Sequence, residues 1–226
     1  MDQPGLPAEA LCRNLNELER VNRFLGGYAT LFSGLDYLKR HGWFAQDRPL
    51  RLLDLGSGAG DNLRMAHQWC QRQGVAVSLT GLDWSSAMLD EAQSRCRNEA
   101  FEWVQADALT YDFSGYDWVM GSLFCHHLDD AQLLQLVRRV RQAGAGLLIN
   151  DLHRHPLAWA GIWTLTRILP ASYLVRHDGP LSVRRSFCRA DWQRLLQNAG
   201  IEQAHVQWRW AFRWLVVMAP PGPPAT

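Results

Sequence analysis

The sequence predicts an α/β protein built on a doubly wound, mostly parallel sheet. Between residues 50 and 150, short apolar runs alternate with helical patterns, which is typical of parallel strands covered by helices on both faces. Two apolar runs near the C-terminus, AHVQWRW and RWLVVMA, predict an antiparallel pair that closes one edge of the sheet. The chain of 226 residues is long enough to bury one substantial hydrophobic core.

The individual elements follow in order from the N-terminus. Apolar residues recur at steps of three and four from Leu11 to Leu25, which predicts an amphipathic helix that ends at Gly26 and Gly27 and is followed by a second helix. The predicted strands are LLDL, VSLTGLD, FEWVQAD, YDWVMGS and GLLIND. The further predicted helices are Asn62–Gln73, Ser86–Arg97, Ala131–Gln142 and Arg189–Ala199.

These elements divide the chain into three parts. Residues 1–45 are predicted to form an N-terminal helical cap, and residues 46–219 form the sheet domain, with a helical lid inserted at about residues 156–186. The last residues, 220–226, read PPGPPAT. Such a segment has too little apolar surface to fold by itself, so we expect a flexible tail.

The composition argues against several kinds of partner and location. Lys and Arg number 23 and Asp and Glu 22, for a formal charge of +1, so nothing draws the whole chain to nucleic acid. The five cysteines are far apart, which favours a reducing, cytoplasmic location over a disulfide framework. We expect no integral membrane segment, because no apolar run is long enough to span a bilayer. The sequence leaves open whether the protein forms a homodimer.

A glycine-rich loop follows the first predicted strand in RLLDLGSGAGDN. Its three glycines, Gly56, Gly58 and Gly60, have the spacing G-x-G-x-G, whereas a dinucleotide-binding loop has G-x-G-x-x-G. Asp54 lies two residues before the first glycine, where a carboxylate repels a pyrophosphate but suits a cationic amine. The loop therefore predicts a close-fitting site for a ligand that carries a positive charge.

The stretch LLDLGSGAGD resembles the first motif of class I S-adenosylmethionine-dependent methyltransferases, and the resemblance extends from about Leu11 to Ala219. It implies a Rossmann-like fold and S-adenosylmethionine as the cofactor. It also implies that the first motif faces the amino acid end of the cofactor. The matching residues of that motif are Asp54, Gly56, Ser57, Gly58 and Gly60.

The resemblance assigns further cofactor contacts along the chain. It implies that Asp83 accepts hydrogen bonds from both ribose hydroxyls, a task for which a carboxylate is well suited. The residues implied to contact the adenine are Trp84, Met88, Asp107 and Ala108, and those implied to lie beside the methionine portion are Gly121 and Ser122. In similar enzymes the N-terminal helices cover the cofactor, which makes Arg23 and Tyr28 candidates for its carboxylate.

Histidines follow the fourth and fifth predicted strands, where an acceptor must approach. A phenol has to lose its proton before methylation, and histidine has a suitable pKa for this base. The candidates are His126 and His127 after the fourth strand, one of which we expect to be a packed structural residue, and His153 and His155 after the fifth; His127, His153 and His155 are the favoured ones. The two histidines of HRH would face the same side of a strand, but no third ligand is identifiable, so we predict no metal site.

The lid segment is strongly apolar. Residues 156–166 contain no charged side chain, and six of the 11 tryptophans lie in the last third of the chain. A lid that closes over an apolar aromatic acceptor is the favoured interpretation. The alternative, a helix that rests on a membrane to collect a lipid-like acceptor, is disfavoured because one face of the segment lacks basic residues.

Four segments, LNELERVNRFLGG, HHL, NDLHRHPLAW and HDGPLSV, together resemble small bacterial methyltransferases of the quinone-biosynthesis type, including ones linked to phenolic polyketide pathways. The resemblance implies a small aromatic acceptor with a phenolic or quinol hydroxyl. Three alternatives remain: methylation of nitrogen or carbon, a nicotinamide-dependent oxidoreductase, and a noncatalytic fold that holds the cofactor.

Overall fold

The computed structural model describes residues 8–44, 47–168 and 173–222. The parts of the predicted cap, lid and tail at residues 1–7, 169–172 and 223–226 lie outside the described residues, as do residues 45 and 46. The strands are β1 Leu50–Leu55, β2 Val77–Asp83, β3 Glu102–Gln105, β4 Trp118–Ser122, β5 Gly146–Leu152, β6 Ala204–Arg209 and β7 Arg213–Met218. The helices are α1 Ala8–Phe24, α2 Gly27–Arg40, α3 Asp61–Gln73, α4 Ser86–Arg95, α5 Asp130–Gln142, α6 Pro156–Ile168, α7 Tyr173–Arg185 and α8 Arg189–Asn198.

The seven strands form one sheet in the order β3-β2-β1-β4-β5-β7-β6. The pairs from β3 to β5 are parallel, whereas β7 runs antiparallel to β5 and β6. The predicted fold class is therefore confirmed, including the antiparallel C-terminal edge. Because the parallel strands share one direction, their carboxyl ends meet at a single edge, which is where ligands bind in such sheets.

Two hydrophobic cores cover the two faces of the sheet. Successive residues of β1 alternate between them, because side chains of a strand point to opposite faces. Leu53 packs with α5 and α8 on one face, and Leu52 packs with α2 and α3 on the other. The N-terminal helix α2 thus helps to build the core and is more than a cover.

The segment predicted as a helical lid forms helices α6 and α7, of which α7 contains Pro180 and packs against α6. One local feature differs from the sequence prediction. Strand β5 ends at Leu152, so His153 and His155 lie beyond the strand and not on it. In the described part of the chain, no helix has the length and apolar character needed to cross a membrane.

Candidate cofactor and acceptor site

The glycine loop lies at the carboxyl end of β1 and has a backbone that only glycine adopts easily. Gly56, Gly58 and Gly60 have φ angles of 60°, 50° and 76°, a region in which a side chain is strained. A Cβ at Gly56 would lie 2.6 Å from the Phe124 ring, and one at Gly60 would lie 2.7 Å from Trp103. A Cβ at Gly58 would meet only a carbonyl oxygen at 3.9 Å, so this glycine borders open space that a ligand can use.

Asp54 is a carboxylate at the end of β1 that is buried and has no hydrogen-bond partner among the described residues. Among the described residues, neither of its carboxylate oxygens has a hydrogen-bond partner, and the neighbouring Ser57 Oγ also has none. Burial raises the pKa of Asp54 well above its usual value, and the charges of Asp61 and Asp83 raise it further. A cationic ligand group would relieve this unfavourable state, and the ammonium group that the resemblance implies for this position is such a group.

A second carboxylate, Asp61, connects the loop to the N-terminal helices. It is the first residue of α3 and accepts hydrogen bonds from Tyr28 Oη at 2.9 Å and Asn22 Nδ2 at 3.5 Å. Burial raises the pKa of Asp61, although the bond from Tyr28 opposes this. Sequence reasoning missed Asp61, although the signal was present in the acid that directly follows the third glycine. Arg23, the other residue that the resemblance assigns to the cofactor carboxylate besides Tyr28, is exposed in the last turn of α1.

Asp83 ends β2 and organises the loops on either side of it. Its Oδ2 accepts a hydrogen bond from the Gly58 amide at 3.1 Å, and its Oδ1 accepts one from the Ser85 amide at 3.0 Å. A carboxylate oxygen can accept more than one bond, so these two bonds do not by themselves prevent Asp83 from accepting ribose hydroxyls. Trp84, which follows it, is 58% exposed, and Met88 lies in the first turn of α4.

The other predicted cofactor residues lie at the ends of β3 and β4. Asp107 follows β3, is exposed, and accepts a hydrogen bond from the Leu109 amide at 2.9 Å, whereas Ala108 is buried. Gly121 and Ser122 end β4. The structure therefore brings the residues of β1, β2 and β4 to adjacent strand ends and leaves Asp107 at the periphery.

A buried polar network, not predicted from the sequence, ties the N-terminal helices to the sheet. Arg213 on β7 donates hydrogen bonds to the Leu25 carbonyl at 2.7 Å, to Asn22 Oδ1 at 3.2 Å and to Asn150 Oδ1 at 3.3 Å. Asn150 in turn donates to Ser122 Oγ at 3.0 Å. Burial lowers the pKa of Arg213 to about 10, so the guanidinium still carries its charge at neutral pH.

His126 forms a buried pair with Asp151 next to the acceptor side. It lies in a short 3-10 helix, Cys125–His127, and its Nδ1 is 2.8 Å from Asp151 Oδ1. Burial alone would raise the pKa of Asp151, but attraction to His126 and hydrogen bonds from His126 and Leu152 lower it. The adjacent His127 is exposed, and the two imidazole rings are 4.3 Å apart.

His153 and His155 lie among aromatic rings at the end of β5. The two imidazoles are 5.3 Å apart, His153 makes an edge contact with Trp214 at 5.0 Å, and His155 stacks on Phe212 at 5.2 Å. His155 Nδ1 accepts a hydrogen bond from the Leu157 amide. Within the ranges described, His153 Nδ1 is buried without a partner, and no three His, Cys, Asp or Glu side chains are grouped to hold a metal.

Helix α6 begins just after His155 and presents an apolar but exposed surface. In the described chain, Thr166 is its only buried residue. Its large exposed side chains are Leu157, Trp159, Trp163 and Ile168. The guanidinium of Arg167 lies 3.9 Å from the Trp163 ring centroid. The partner helix α7 contacts both α1 and the short 3-10 helix, so the two helices lie beside the mouth of the site.

Comparison with known proteins indicates a methyltransferase domain. Residues 52–144 match a family model described as a methyltransferase domain, and no curated protein matches the chain. Many solved structures share the fold. They include a proposed O-methyltransferase from Nostoc punctiforme, with 19% identity, a TM-score of 0.55 and coverage of 76% of this chain and 53% of that one.

Two other solved structures show how varied such proteins are. The citrinin polyketide synthase CMeT domain has 16% identity, a TM-score of 0.59 and coverage of 79% and 48% of the two chains. Magnesium protoporphyrin IX methyltransferase from Synechocystis PCC 6803, solved with bound S-adenosylhomocysteine, has 17% identity, a TM-score of 0.57 and coverage of 86% and 84%. The chain spans about half the length of the Nostoc and citrinin chains.

The fold, the glycine loop and the matched segment agree. Residues 52–144 thus match a methyltransferase domain, and the chain has the fold of solved methyltransferases, one of them solved with bound S-adenosylhomocysteine.

Proposed function

We propose that this protein transfers the methyl group of S-adenosylmethionine to a phenolic or quinol hydroxyl of a small, largely apolar aromatic acceptor. The observation that carries the proposal is the set of rings around His153 at the end of β5. Histidines and aromatic side chains surround this position, an environment suited to a flat apolar ring with one ionisable hydroxyl.

The residues of the glycine loop hold the cofactor. Bound there, S-adenosylmethionine supplies a methyl group on a sulfonium, which an acceptor oxygen displaces to leave S-adenosylhomocysteine. Asp54 would pair with the ammonium group, because its buried oxygens have no partner in the described structure. Asp83 would accept the ribose hydroxyls while it holds the Gly58 amide in place.

The acceptor proton requires a base, and His153 is the best-supported candidate. Burial lowers the pKa of His153, and the nearby His155 lowers it further, so the ring is neutral at pH 7. A neutral imidazole has one nitrogen free to accept a proton. His155 uses one nitrogen to hold the Leu157 amide at the start of α6, and the exposed His127 remains a further candidate.

The proposal is tested by incubating the protein and S-adenosylmethionine with a panel of phenols, quinols and amines and measuring by mass spectrometry which of them gains a methyl group. We expect a phenol or quinol to gain one methyl group, and His153→Gln to lower kcat by roughly 10²–10⁴-fold, the usual contribution of a general base. The affinity for S-adenosylmethionine should stay unchanged. His127→Gln and His155→Gln are compared in parallel, and His41→Gln, an exposed histidine on the distant end of α2, is the matched control.

Two results would argue against the proposed acceptor. If only amines or ring carbons were methylated, the acceptor would be a nitrogen or carbon atom and not a hydroxyl. Unchanged turnover of a phenol in all three histidine variants would exclude a histidine base and leave methylation by alignment alone.

A further inference from the structure

Helix α6 is apolar on the side that faces the protein and also on the side that faces solvent. Ala158, Ile162 and Leu165 are its partly buried residues, whereas Leu157 is 66% and Ile168 is 76% exposed. A helix that is apolar all round is normally buried in a protein core or placed in a membrane. The solvent face of α6 therefore calls for a partner that is itself apolar.

The neighbouring charges indicate what kind of partner fits. Helices α6 and α7 together carry four arginines and one carboxylate, Asp178, a net charge of +3 against +1 for the whole chain. The four arginines are exposed, and they are Arg167, Arg176, Arg184 and Arg185. Arg167 lies against Trp163 of α6, and the other three lie on α7, which packs against α6. An exposed apolar helix packed against a basic one matches the surface of a bilayer that contains anionic lipids. The basic residues lie mostly on α7, which explains why the pattern of α6 alone argued against a membrane.

A second copy of the chain is a poorer partner for the same surface. A twofold dimer places identical patches against each other. The four arginines and one carboxylate of one copy would therefore face the four arginines and one carboxylate of the other. Like charges that face each other oppose association. An anionic lipid surface has the complementary charge and accepts the apolar side chains as well.

The exposed apolar surface continues around the mouth of the site. Trp210 is 64% exposed, and its carbonyl borders Gly26, two residues after the exposed Phe24. Trp208, also exposed, makes an edge contact with Phe212, the ring on which His155 stacks just before α6. Tryptophan is enriched where proteins meet the membrane interface.

We infer that the α6–α7 surface, defined by Leu157, Trp159, Trp163, Ile168 and the four arginines, docks this protein on anionic membrane surfaces. Leucine, isoleucine and tryptophan enter the interface, and the arginines contact lipid phosphates while their stems lie along the apolar region. The inference goes beyond the proposed function and does not depend on which acceptor is methylated.

Flotation of the full chain with lipid vesicles tests the inference. We expect binding to vesicles that contain phosphatidylglycerol, weak binding to phosphatidylcholine alone, and release by salt, because exposed charges are screened. Arg176→Gln, Arg184→Gln and Arg185→Gln combined should weaken binding by about a hundredfold, since each arginine near an anionic surface contributes about fivefold. The matched control combines Arg40→Gln, Arg72→Gln and Arg97→Gln, which removes the same charge at exposed positions elsewhere.

A second variant tests the apolar part independently of charge. Leu157→Ser with Ile168→Ser should lower vesicle binding on the order of tenfold or more, with unchanged circular dichroism. Equal losses in the matched arginine control would reduce the effect to overall charge and overturn the inference. It would also be overturned if the protein did not float with anionic vesicles, or if it formed a dimer that only the serine variant separates.

Discussion

The cofactor side and the acceptor side of the sheet edge are built on opposite principles. On the cofactor side, carboxylates are buried at strand ends, and Asp83 holds backbone amides of two loops. On the acceptor side, α6 presents apolar side chains to solvent. The first arrangement suits a small, charged cofactor that is common to a whole class, and the second suits an apolar partner that differs between proteins.

The largest difference between the two sides should be in stability. Leu53 is fully buried in β1, so Leu53→Ala should lower the free energy of unfolding by about 2–5 kcal/mol through lost burial and a cavity. Leu157→Ala removes the same atoms from an exposed position and should cost less than about 0.5 kcal/mol. Urea unfolding measures both. Equal losses would show that α6 is packed as tightly as the sheet and would remove the contrast.

Loss of the buried guanidinium should have the next largest effect. Arg213→Met leaves three oxygen acceptors, two of them in buried hydrogen bonds, without their donor, so we expect a loss of about 2–4 kcal/mol. Arg20→Met is the control, because Arg20 is exposed on α1 and its loss should cost below about 0.5 kcal/mol. Thermal unfolding compares the two. Similar melting temperatures would mean that the network contributes nothing to attachment of the N-terminal helices.

Asp54→Asn should act with opposite signs on stability and on cofactor binding. The free protein should become more stable by about 1 kcal/mol, because an unpaired buried charge is removed. The affinity for S-adenosylmethionine should fall about thirtyfold, because the ammonium group loses its charged partner. Denaturation and calorimetric titration give the two values, with Asp90→Asn, an exposed acid on α4, as the control. A loss of both stability and affinity would contradict the assignment.

The smallest effect concerns pH. Burial raises the pKa of Asp54 and of Asp61, so in the free protein their contribution to stability is present below the usual carboxyl pKa of about 4 and is lost as pH rises through the raised values. Cofactor affinity should follow the reverse course and weaken as pH falls, by up to about tenfold per pH unit and bound proton. Titrations from neutral to acidic pH measure this slope. If cofactor affinity depended on pH equally steeply in Asp54→Asn, the proton responsible would be bound by a group other than Asp54.

The same contrast explains what the sequence could predict. The positions of the strands and the glycine loop follow from local patterns, because a strand, a tight loop and a carboxylate lie within ten residues of each other between Leu52 and Asp61. Arg213 gave no such signal, because its partners on α1 and β5 are 63 to 191 residues away. A helical lid was predicted over about residues 156–186, but the bounds of α7 were not, because its interior proline argues locally against a helix, whereas packing against α6 supports it.

Calorimetric titration with S-adenosylmethionine and S-adenosylhomocysteine, with NAD as the comparison ligand, tests the central claim most directly. The account predicts that both bind, that NAD does not, and that Asp83→Ala weakens binding at least a hundredfold because two charge-assisted hydrogen bonds to ribose are lost. Asp90→Ala, on α4 a few residues away, should bind like the native chain. Binding of NAD alone, or equal affinity in Asp83→Ala and the native chain, would contradict the cofactor site.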